Sequence, residues 1–397
     1  MTIRTFKFKL EPTKTQESSF IEWCGSVRFV YNWFLALTQK RQYVIREGEP
    51  INRNTMNSSA LLTALKSEHN WLQNVSSWTL NRALRDVDAS AQAVIRFRKE
   101  GRVANFRFRN KYEDNSFRCA GVYCKIINDT VVLPKIGAIQ FRNSRKDQWP
   151  TIFRLCEVTV KLERGKWYVC ISLDYPTVIP ENNKPPLGID RGVVQTLTFS
   201  DMTEPRRMPV ADLRLLQAKA EEHQRVVSQR VRGSKRRHKA VQLLASVKAK
   251  IARVKADWNH KQTKTISDNY GVVVLEDLKT SRMTKSAKGT IEAPGTNVAA
   301  KSSLNRSILE HNWFQFQNFL EYKLAANGGK LVLINPAFTS QDCHACGHRD
   351  KDNRKSQAVF ECKNCGQTSN ADQNAALNIL RVGSRPAVLD TAKRCVA

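Results

Sequence analysis

The sequence lacks any apolar segment long enough to cross a membrane. Its longest apolar runs, such as Gly271–Leu275, are only a few residues long. A membrane-spanning helix needs roughly 20 apolar residues. The N-terminal segment 1–12 alternates apolar and basic residues and contains no apolar core of the signal-peptide type. These absences predict a cytoplasmic protein that does not associate with a membrane.

Acidic residues are scarce relative to basic ones. Of 397 residues, 65 are Lys or Arg and 36 are Asp or Glu, which gives a formal net charge of +29. An excess of this size points to a polyanionic partner, and nucleic acid is the first expectation. The length exceeds that of a typical single domain, so roughly two to four compact units are expected.

The regularly spaced cysteines of a secreted disulfide framework are also missing. Six of the ten cysteines are scattered along the chain: Cys24, Cys119, Cys124, Cys156, Cys170 and Cys395. The other four form two Cys-x-x-Cys pairs, Cys343/Cys346 and Cys362/Cys365, with fifteen residues between the pairs. This spacing is typical of a zinc ribbon, in which each pair supplies two thiolates to one tetrahedral ion.

Four thiolates complete the coordination of zinc, so the predicted zinc is structural. Gly347 and Gly366 follow the second cysteine of each pair, where a tight turn often needs a positive φ. His344 and His348 are expected to be exposed neighbours rather than ligands. The alternative for the four cysteines is a group of free buried thiols.

Hydrophobic periodicity divides the first 180 residues into three kinds of region. Residues 3–10 alternate as in a β-strand, whereas apolar residues between about 15 and 100 recur at three- and four-residue steps and predict a small helical bundle. Between about 117 and 180, short alternating runs separated by Gly and Pro predict antiparallel strands, joined by the N-terminal strand.

A second domain is predicted to begin after Pro185-Pro186. Its polar segment 281–305 has the composition of a long mobile loop. The other predicted elements are a hairpin at 187–199, two helices within 212–264 interrupted at Gly233-Ser234, a buried strand at 271–275, a helix at 308–327, a strand at 330–335 and a helix at 370–380.

Three carboxylates lie at the ends of predicted elements. Asp190 ends a strand, Glu276 ends the buried strand, and Asp372 opens the last helix. Nucleases of the RNase H type use such acids to hold two Mg²⁺ ions about 4 Å apart. Each acid also has an ordinary alternative: Asp190 as a turn residue between glycines, Glu276 as part of a solvated strand end, and Asp372 as a helix N-cap.

The predicted helices within 212–264 are strongly basic. Fourteen Lys or Arg residues lie between Lys219 and Lys264, against three acidic residues. Uncompensated like charge destabilises a compact state, which favours a phosphate-bearing partner over the alternative of a solvated cationic helix. Seven residues are candidates for phosphate contacts: Lys235, Arg236, Arg237, Lys248, Lys250, Arg253 and Lys255.

The order of the motifs resembles that of TnpB, a family of insertion-sequence nucleases similar to type V CRISPR effectors. The matching motifs are Gly188-Ile-Asp190-Arg-Gly192, Leu275-Glu276-Asp277-Leu278, Thr339-Ser-Gln-Asp342-Cys343, the zinc ribbon and Asp372-x-Asn374-Ala-Ala-Leu-Asn-Ile. Further matches, Gly25-Ser-Val-Arg28-Phe-Val-Tyr-Asn32 and Leu133-Pro-Lys-Ile-Gly137, extend the resemblance over nearly the whole chain.

The resemblance implies a multidomain α+β fold: a helical recognition bundle, a wedge β-barrel, and an RNase H-like (RuvC) α/β nuclease domain with an inserted zinc ribbon. The implied boundaries are 1–14 plus 115–184 for the wedge β-barrel, 15–114 for the recognition domain, 185–337 for the first part of the nuclease domain, 338–368 for the ribbon, 369–384 for its third motif and 385–397 for a weakly ordered tail.

The resemblance also implies an activity. Members of the family use an RNA derived from the transposon end to guide cleavage of double-stranded DNA beside a short transposon-adjacent motif. Asp190, Glu276 and Asp372 match the family's Mg²⁺ ligands, and Thr55, Ser59, Ser77 and Asn81 align loosely with positions that would read the adjacent motif. The protein is expected to act as a monomer.

One departure from the family pattern lies inside the first motif. Arg191 stands where an apolar or polar residue is more usual, and a cation beside a metal ligand is expected to point away, towards RNA or solvent. Two other functions stay open: a strand-transferring transposase that uses the same acids, and a nuclease-inactive, RNA-guided repressor. A missing acid would favour the repressor, and none is missing.

Overall fold

The computed structural model describes residues 2–46, 58–146, 149–177, 179–290 and 292–385, with residues 2, 39–46, 58–59 and 210–212 described by their backbone alone. The chain divides into two compact units, Met1–Thr177 and Val178–Ala397. Most of the predicted tail, 386–397, lies outside the described residues. Among the described helices, none is long and apolar enough to cross a membrane.

The first unit is built on a seven-stranded antiparallel sheet in the order β2-β6-β7-β1-β5-β4-β3. Its strands are β1 (Thr2–Glu11), β2 (Ser116–Ala120), β3 (Lys125–Ile127), β4 (Thr130–Leu133), β5 (Gly137–Arg142), β6 (Arg154–Glu163) and β7 (Lys166–Tyr175). β1 pairs with both β5 and β7, which confirms that the N-terminal strand joins the later strands. The described edge strands β2 and β3 do not pair with each other, so the sheet is an open half-barrel rather than a closed barrel.

Three helices pack on this sheet: α1 (Lys14–Arg46), α2 (Ser58–Glu68) and α3 (Ser77–Lys99). The apolar residues that predicted α1 are buried, among them Phe20 and Trp23. Their rings lie on sheet residues, with centroid distances of 4.9 Å from Phe20 to Trp167 and 5.1 Å from Trp23 to Phe117. Helices and sheet therefore share one hydrophobic cluster.

The second unit contains a four-stranded sheet in the order β11-β10-β8-β9. Its strands are β8 (Pro186–Asp190), β9 (Thr198–Phe199), β10 (Val272–Glu276) and β11 (Lys330–Ile334). β10 is parallel to both β8 and β11, whereas β9 pairs antiparallel with β8 and confirms the predicted hairpin. The carboxyl ends of β8 and β10 therefore lie at the same edge of the sheet.

Alternation along these strands gives the sheet two different faces. Leu187, Ile189, Val273 and Leu275 belong to one apolar cluster with helix α8 (Trp313–Ala326). Val274 belongs to a second cluster on the other face, with Ile379 of α9 (Ala371–Gly383). Asp190 and Glu276 occupy the alternate positions that share the α9 side.

The remaining helices confirm one prediction and correct two. Helices α4 (Val210–Gln229) and α5 (Lys235–Asn269) are separated at the predicted break, where the Ser234 hydroxyl accepts a hydrogen bond of 3.1 Å from the Arg237 amide. The segment predicted as a long loop instead includes α6 (Thr280–Met283) and the start of α7 (Val298–Glu310).

The predicted helix 308–327 is also wrong as a single element, because α7 and α8 are separate. Asn312 at the break has a left-handed φ of 50°. An α-helix cannot continue through this conformation, so the chain changes direction between the two helices.

Candidate active site and metal centre

The structure brings the three predicted acids to one edge of the second sheet. Leu275 pairs with Ile189, so the next residues, Glu276 and Asp190, end adjacent parallel strands. Asp372 lies in the first turn of α9. This helix approaches β8 so closely that a Cβ at Gly188 would lie 2.4 Å from the carbonyl oxygen of Ala376. Only glycine permits the approach that carries Asp372 to the strand ends.

The three carboxyl groups interact electrostatically. Burial raises the pKa of Asp190 to about 7, and repulsion from Glu276 and Asp372 adds to this increase. Burial also raises the pKa of Glu276 and that of Asp372. Acids that are buried together in this way disfavour their charged forms unless a cation lies between them. Their oxygens are hard ligands of the kind that Mg²⁺ prefers.

The ordinary alternative for Asp372 as a helix N-cap is wrong. The cap is Asn370, whose side-chain oxygen accepts hydrogen bonds from the amides of Asp372, at 3.0 Å, and Gln373, at 3.3 Å. The Asp372 carboxylate is therefore available for another role.

Glu276 has a defined orientation. The Thr339 hydroxyl donates a hydrogen bond of 2.6 Å to its Oε1 atom, and this bond opposes the rise in the pKa of Glu276. Thr339 is itself held by α9, because the Asn378 amide donates to its carbonyl at 3.0 Å. The motif around Thr339 thus connects the β10 acid to the helix that carries Asp372.

Sequence reasoning missed Arg354, which lies between the two cysteine pairs. Its Nη2 atom is 3.2 Å from Oδ1 of Asp372, and its charge opposes the rise in the pKa of both Asp372 and Asp190. Nothing in the local sequence distinguishes Arg354 from its neighbours Lys351 and Lys355. Only the folding of the ribbon beside α9 identifies it.

The prediction for Arg191 is wrong. Its side chain is buried, with 5% exposure, and the guanidinium Nη2 donates a hydrogen bond to the main-chain carbonyl of Glu276. Burial lowers the pKa of Arg191 to about 10, while Glu276, Asp190 and Asp277 favour its charged form. The guanidinium remains charged at neutral pH and lies beside the acids, not in solvent.

The four predicted cysteines form a compact group. Their sulfur atoms all lie within 4.8 Å of one another. Gly347 and Gly366 have φ values of 77° and 71°, as predicted for the two turns. Strands β12 (Val359–Glu361) and β13 (Thr368–Asn370) support the group. Four sulfur ligands at these separations suit tetrahedral zinc.

The two histidines near the cysteines are absent from this group of ligand atoms. Both are half-buried, however, rather than exposed. The amide oxygen of Asn374 accepts a hydrogen bond of 3.0 Å from the His344 main-chain N–H and lies 3.0 Å from the ring Nδ1. His344 therefore attaches the first cysteine turn to α9.

The basic candidates on α5 divide into two groups. Most are exposed: Lys235, Arg236, Lys248, Lys250 and Arg253; Arg237 is half-buried and contacts the Val227 carbonyl at 3.4 Å. Lys255 is buried, with 8% exposure, so its prediction as a phosphate contact is corrected. Helical periodicity turns Lys255 towards the interior of the unit, where burial lowers the pKa of Lys255 and Glu310 opposes this change.

The candidates for reading a DNA motif are only partly described. Thr55 and the side chain of Ser59 lie outside the described residues. Ser77 and Asn81 line a cavity of about 550 Å³ in the first unit, together with Lys66. The Lys66 ammonium donates a hydrogen bond of 2.9 Å to the Ser77 hydroxyl. Polar side chains and a cation therefore converge at the surface of this cavity.

Comparisons with known proteins agree with this fold. A structure titled "Cryo-EM structure of CasPhi-2 (Cas12j) bound to crRNA" superposes with a TM-score of 0.51 at 10% identity, covering 96% of this chain and 98% of that one. This chain is therefore similar in fold to that structure. Family profiles match residues 1–44 (helix-turn-helix domain), 168–287 ("Probable transposase") and 313–379 (Cas12f1-like, TNB domain).

Similarity to full-length relatives defines the family more closely. A protein of Escherichia coli (strain K12) named "Putative RNA-guided DNA endonuclease InsQ" is 36% identical over 96% of this chain and 92% of its own length. The Cas12f1 endodeoxyribonuclease of Sulfoacidibacillus thermotolerans is 29% identical over 54% of this chain and 50% of its own. The chain belongs to the TnpB family.

Proposed function

We propose that the chain is an RNA-guided, Mg²⁺-dependent DNA endonuclease of a transposable element, which cuts DNA beside a short transposon-adjacent motif. The observation that carries this proposal is the convergence of three acids at one sheet edge, where burial and mutual repulsion raise the pKa of Asp190 to about 7. Such a group of carboxylates suits two-metal hydrolysis of a phosphodiester bond.

In this proposal Asp190, Glu276 and Asp372 are the catalytic residues that hold two Mg²⁺ ions. When bound, the ions activate water and stabilise the leaving oxygen. Thr339 orients the Glu276 carboxylate through its hydrogen bond of 2.6 Å. Arg354 lies at Asp372 and is placed to bind a phosphate oxygen of the substrate once Asp372 binds metal.

The other assignments follow the same functional proposal. The sulfurs of Cys343, Cys346, Cys362 and Cys365 hold a structural zinc ion. The exposed basic residues of α5 bind the phosphates of the guide RNA and its DNA target, because base pairing itself carries the sequence information. Ser77 and Asn81 contact base edges of the adjacent motif from their cavity. The guide is an RNA from the transposon end, and the protein acts as a monomer with the domain boundaries expected above.

The test is a cleavage assay on the purified complex. The protein is expressed with the DNA that flanks its gene, the RNA that co-purifies is sequenced, and a plasmid with the matching target beside randomised flanks is incubated with Mg²⁺ or EDTA. We expect double-strand breaks only with Mg²⁺, a matched target and a particular flank. Asp190→Asn, which is nearly the same size as the native residue, is the matched control and is expected to bind without cutting.

Other outcomes select the other functions. Joined donor and target strands would indicate a transposase, which the description of the profile at 168–287 also names. Guided binding without breaks in the unmodified protein would indicate a repressor. Cleavage that persists in Asp190→Asn would contradict the assignment of the acids.

A further inference from the structure

Arg191 has no role in the site as described so far. It is almost fully buried, and buried arginine is rare unless it is paired. Among the described residues it forms no ion pair with a carboxylate within 4.0 Å, and its Nε–H is buried without a hydrogen-bond partner. Its guanidinium instead donates to a main-chain oxygen, that of Glu276. Burying an unpaired cation costs free energy, so we expect this arrangement to have a function.

The position of the hydrogen bond between Arg191 and Glu276 indicates what this function is. Arg191 directly follows Asp190 in the chain. Its hydrogen bond to the Glu276 carbonyl therefore links the backbone next to one acid to the backbone of a second acid. The same carbonyl accepts a hydrogen bond of 3.0 Å from the Leu278 amide, and the Asp277 amide donates to the Ile334 carbonyl at 2.7 Å. The Arg191 bond therefore links the end of β8 to the end of β10, where the backbone leaves the sheet.

Two effects of Arg191 oppose each other. Its positive charge weakens the binding of a divalent cation nearby. Its hydrogen bond fixes the relative position of the carboxylates, and preorganised ligands bind a cation more tightly. The charge also offsets the repulsion between the acids while no cation is bound, because Asp190, Glu276 and Asp277 all interact favourably with the guanidinium. These contacts favour the second effect.

We propose that Arg191 is a positioning residue that links the Asp190 and Glu276 strand ends and so increases the affinity of the site for divalent cations, despite its charge. This inference rests on the proposed function, because it names a determinant of the same site. Arg191 acts through the backbone of Glu276 and does not itself touch substrate or metal.

The test compares three variants. Arg191→Met keeps the length of the side chain but removes charge and donors, whereas Arg191→Lys keeps the charge without the planar fork. Lys255→Met is the matched control, because it replaces another buried cation of the same unit by the same residue. Hydrogen exchange of the metal-free protein is followed in peptides covering 272–280, and Mn²⁺ binding to the RNA-free protein is measured by electron paramagnetic resonance.

In Arg191→Met we expect faster exchange at Leu278 and about tenfold weaker Mn²⁺ binding, equivalent to the loss of one charge-assisted hydrogen bond. Arg191→Lys should recover part of both, and Lys255→Met should change neither. The Mg²⁺ concentration for half-maximal cleavage should rise in the same order, with little change in the maximal rate.

Tighter Mn²⁺ binding in Arg191→Met would show that repulsion dominates and would overturn the inference. Equal effects of Arg191→Met and Lys255→Met would also overturn it, since the cause would then be general loss of packing. If Arg191→Met fails to fold, unchanged exchange and Mn²⁺ binding in Arg191→Lys would overturn the inference, because the shorter lysine does not reproduce the geometry of the Nη2 donor. Absence of cleavage by the unmodified protein would count against the proposed function alone, because exchange and Mn²⁺ binding do not depend on it.

Discussion

The two units of the chain bury their side chains in different ways. Among the described residues, the first unit has one apolar cluster that runs through helices and sheet, whereas the second has four smaller clusters. The first unit buries three polar or charged side chains and the second buries fourteen. The unit that buries more polar side chains is therefore the one that carries the acids and the paired cysteines.

The treatment of partly buried acids shows the same contrast. In the first unit, Asp86 is surrounded by cations, with Arg109 at 2.8 Å and Arg118 at 3.5 Å. In the second unit, Asp190 has no cation within ion-pair distance among the described residues, and burial raises its pKa to about 7. Sites of function often carry such unfavourable arrangements at the expense of stability. The contrast can be tested by substituting single side chains in each unit.

The largest effect is expected for Asp190→Asn. Cleavage should fall on the order of a thousandfold or more, because a metal ligand is lost. Stability should change in the opposite direction. An unfolded Asp has a pKa of about 3.9 and the folded one a pKa of about 7, so the metal-free protein loses stability as pH rises between these values.

At pH 8 the asparagine variant should therefore be more stable than the metal-free parent by about 4 kcal/mol, and at pH 4 the two should be similar. Hydrogen exchange of peptides from β8 and β10 measures this difference. Asp86→Asn in the first unit is the control, since the loss of its ion pairs should lower stability. A lower stability of Asp190→Asn at pH 8 would contradict the contrast between the units.

The next effect is expected for removal of the zinc ribbon's ion. Cys362→Ser leaves three thiolates, and structural zinc contributes about 10 kcal/mol or more to the folding of small metal-bound modules. Exchange should increase across 343–370, Arg354 should lose its place at Asp372, and cleavage should fall. Cys156→Ser, at a half-buried cysteine of the first unit, should change neither metal content nor cleavage. Full zinc content in Cys362→Ser, measured by mass spectrometry, would refute the four-cysteine site.

These features were predictable from the sequence to different degrees. The strand alternation of residues 3–10 and the two Cys-x-x-Cys pairs depend on local pattern, and both were predicted. The convergence of Asp190, Glu276 and Asp372 was anticipated from their positions at element ends together with the resemblance to TnpB, since each acid alone has an ordinary alternative. Arg191, Arg354 and Lys255 could not be placed, because burial of a long cationic side chain depends on which neighbours fold over it. The start of helix α7 was predicted as a loop because the sequence of this helix is mostly polar and only Ile308 is buried.

A smaller effect, on stability alone, is expected in the apolar cluster of the first unit. Phe117 is 1% exposed, and its ring centroid lies 5.1 Å from Trp23 and 5.8 Å from Phe20. Phe117→Ala should lower the free energy of unfolding by about 3–5 kcal/mol, because it leaves a cavity where helix and sheet meet. The equivalent change at the exposed Phe108 should have little effect. A local loss at β2 alone, seen by hydrogen exchange, would show that the cluster is less continuous than its contacts indicate.

The smallest effect is expected at His311, which lies between α7 and α8. Its ring Nδ1 is 3.4 Å from the Thr196 hydroxyl, in the turn that follows Asp190. Burial lowers the pKa of His311, Lys255 lowers it further, and Glu310 and the Val193 backbone oppose the change.

The unfolded histidine takes up a proton near pH 6.5 and the folded one resists it, so stability is lost as pH falls below this value. His311→Gln keeps a hydrogen-bonding side chain and should reduce this loss between pH 7.5 and 5.5. The half-buried His223 of α4, changed in the same way, is the control. An unaltered pH dependence in His311→Gln, followed by exchange of peptides covering 190–200, would mean that the turn behind Asp190 does not depend on this neutral histidine.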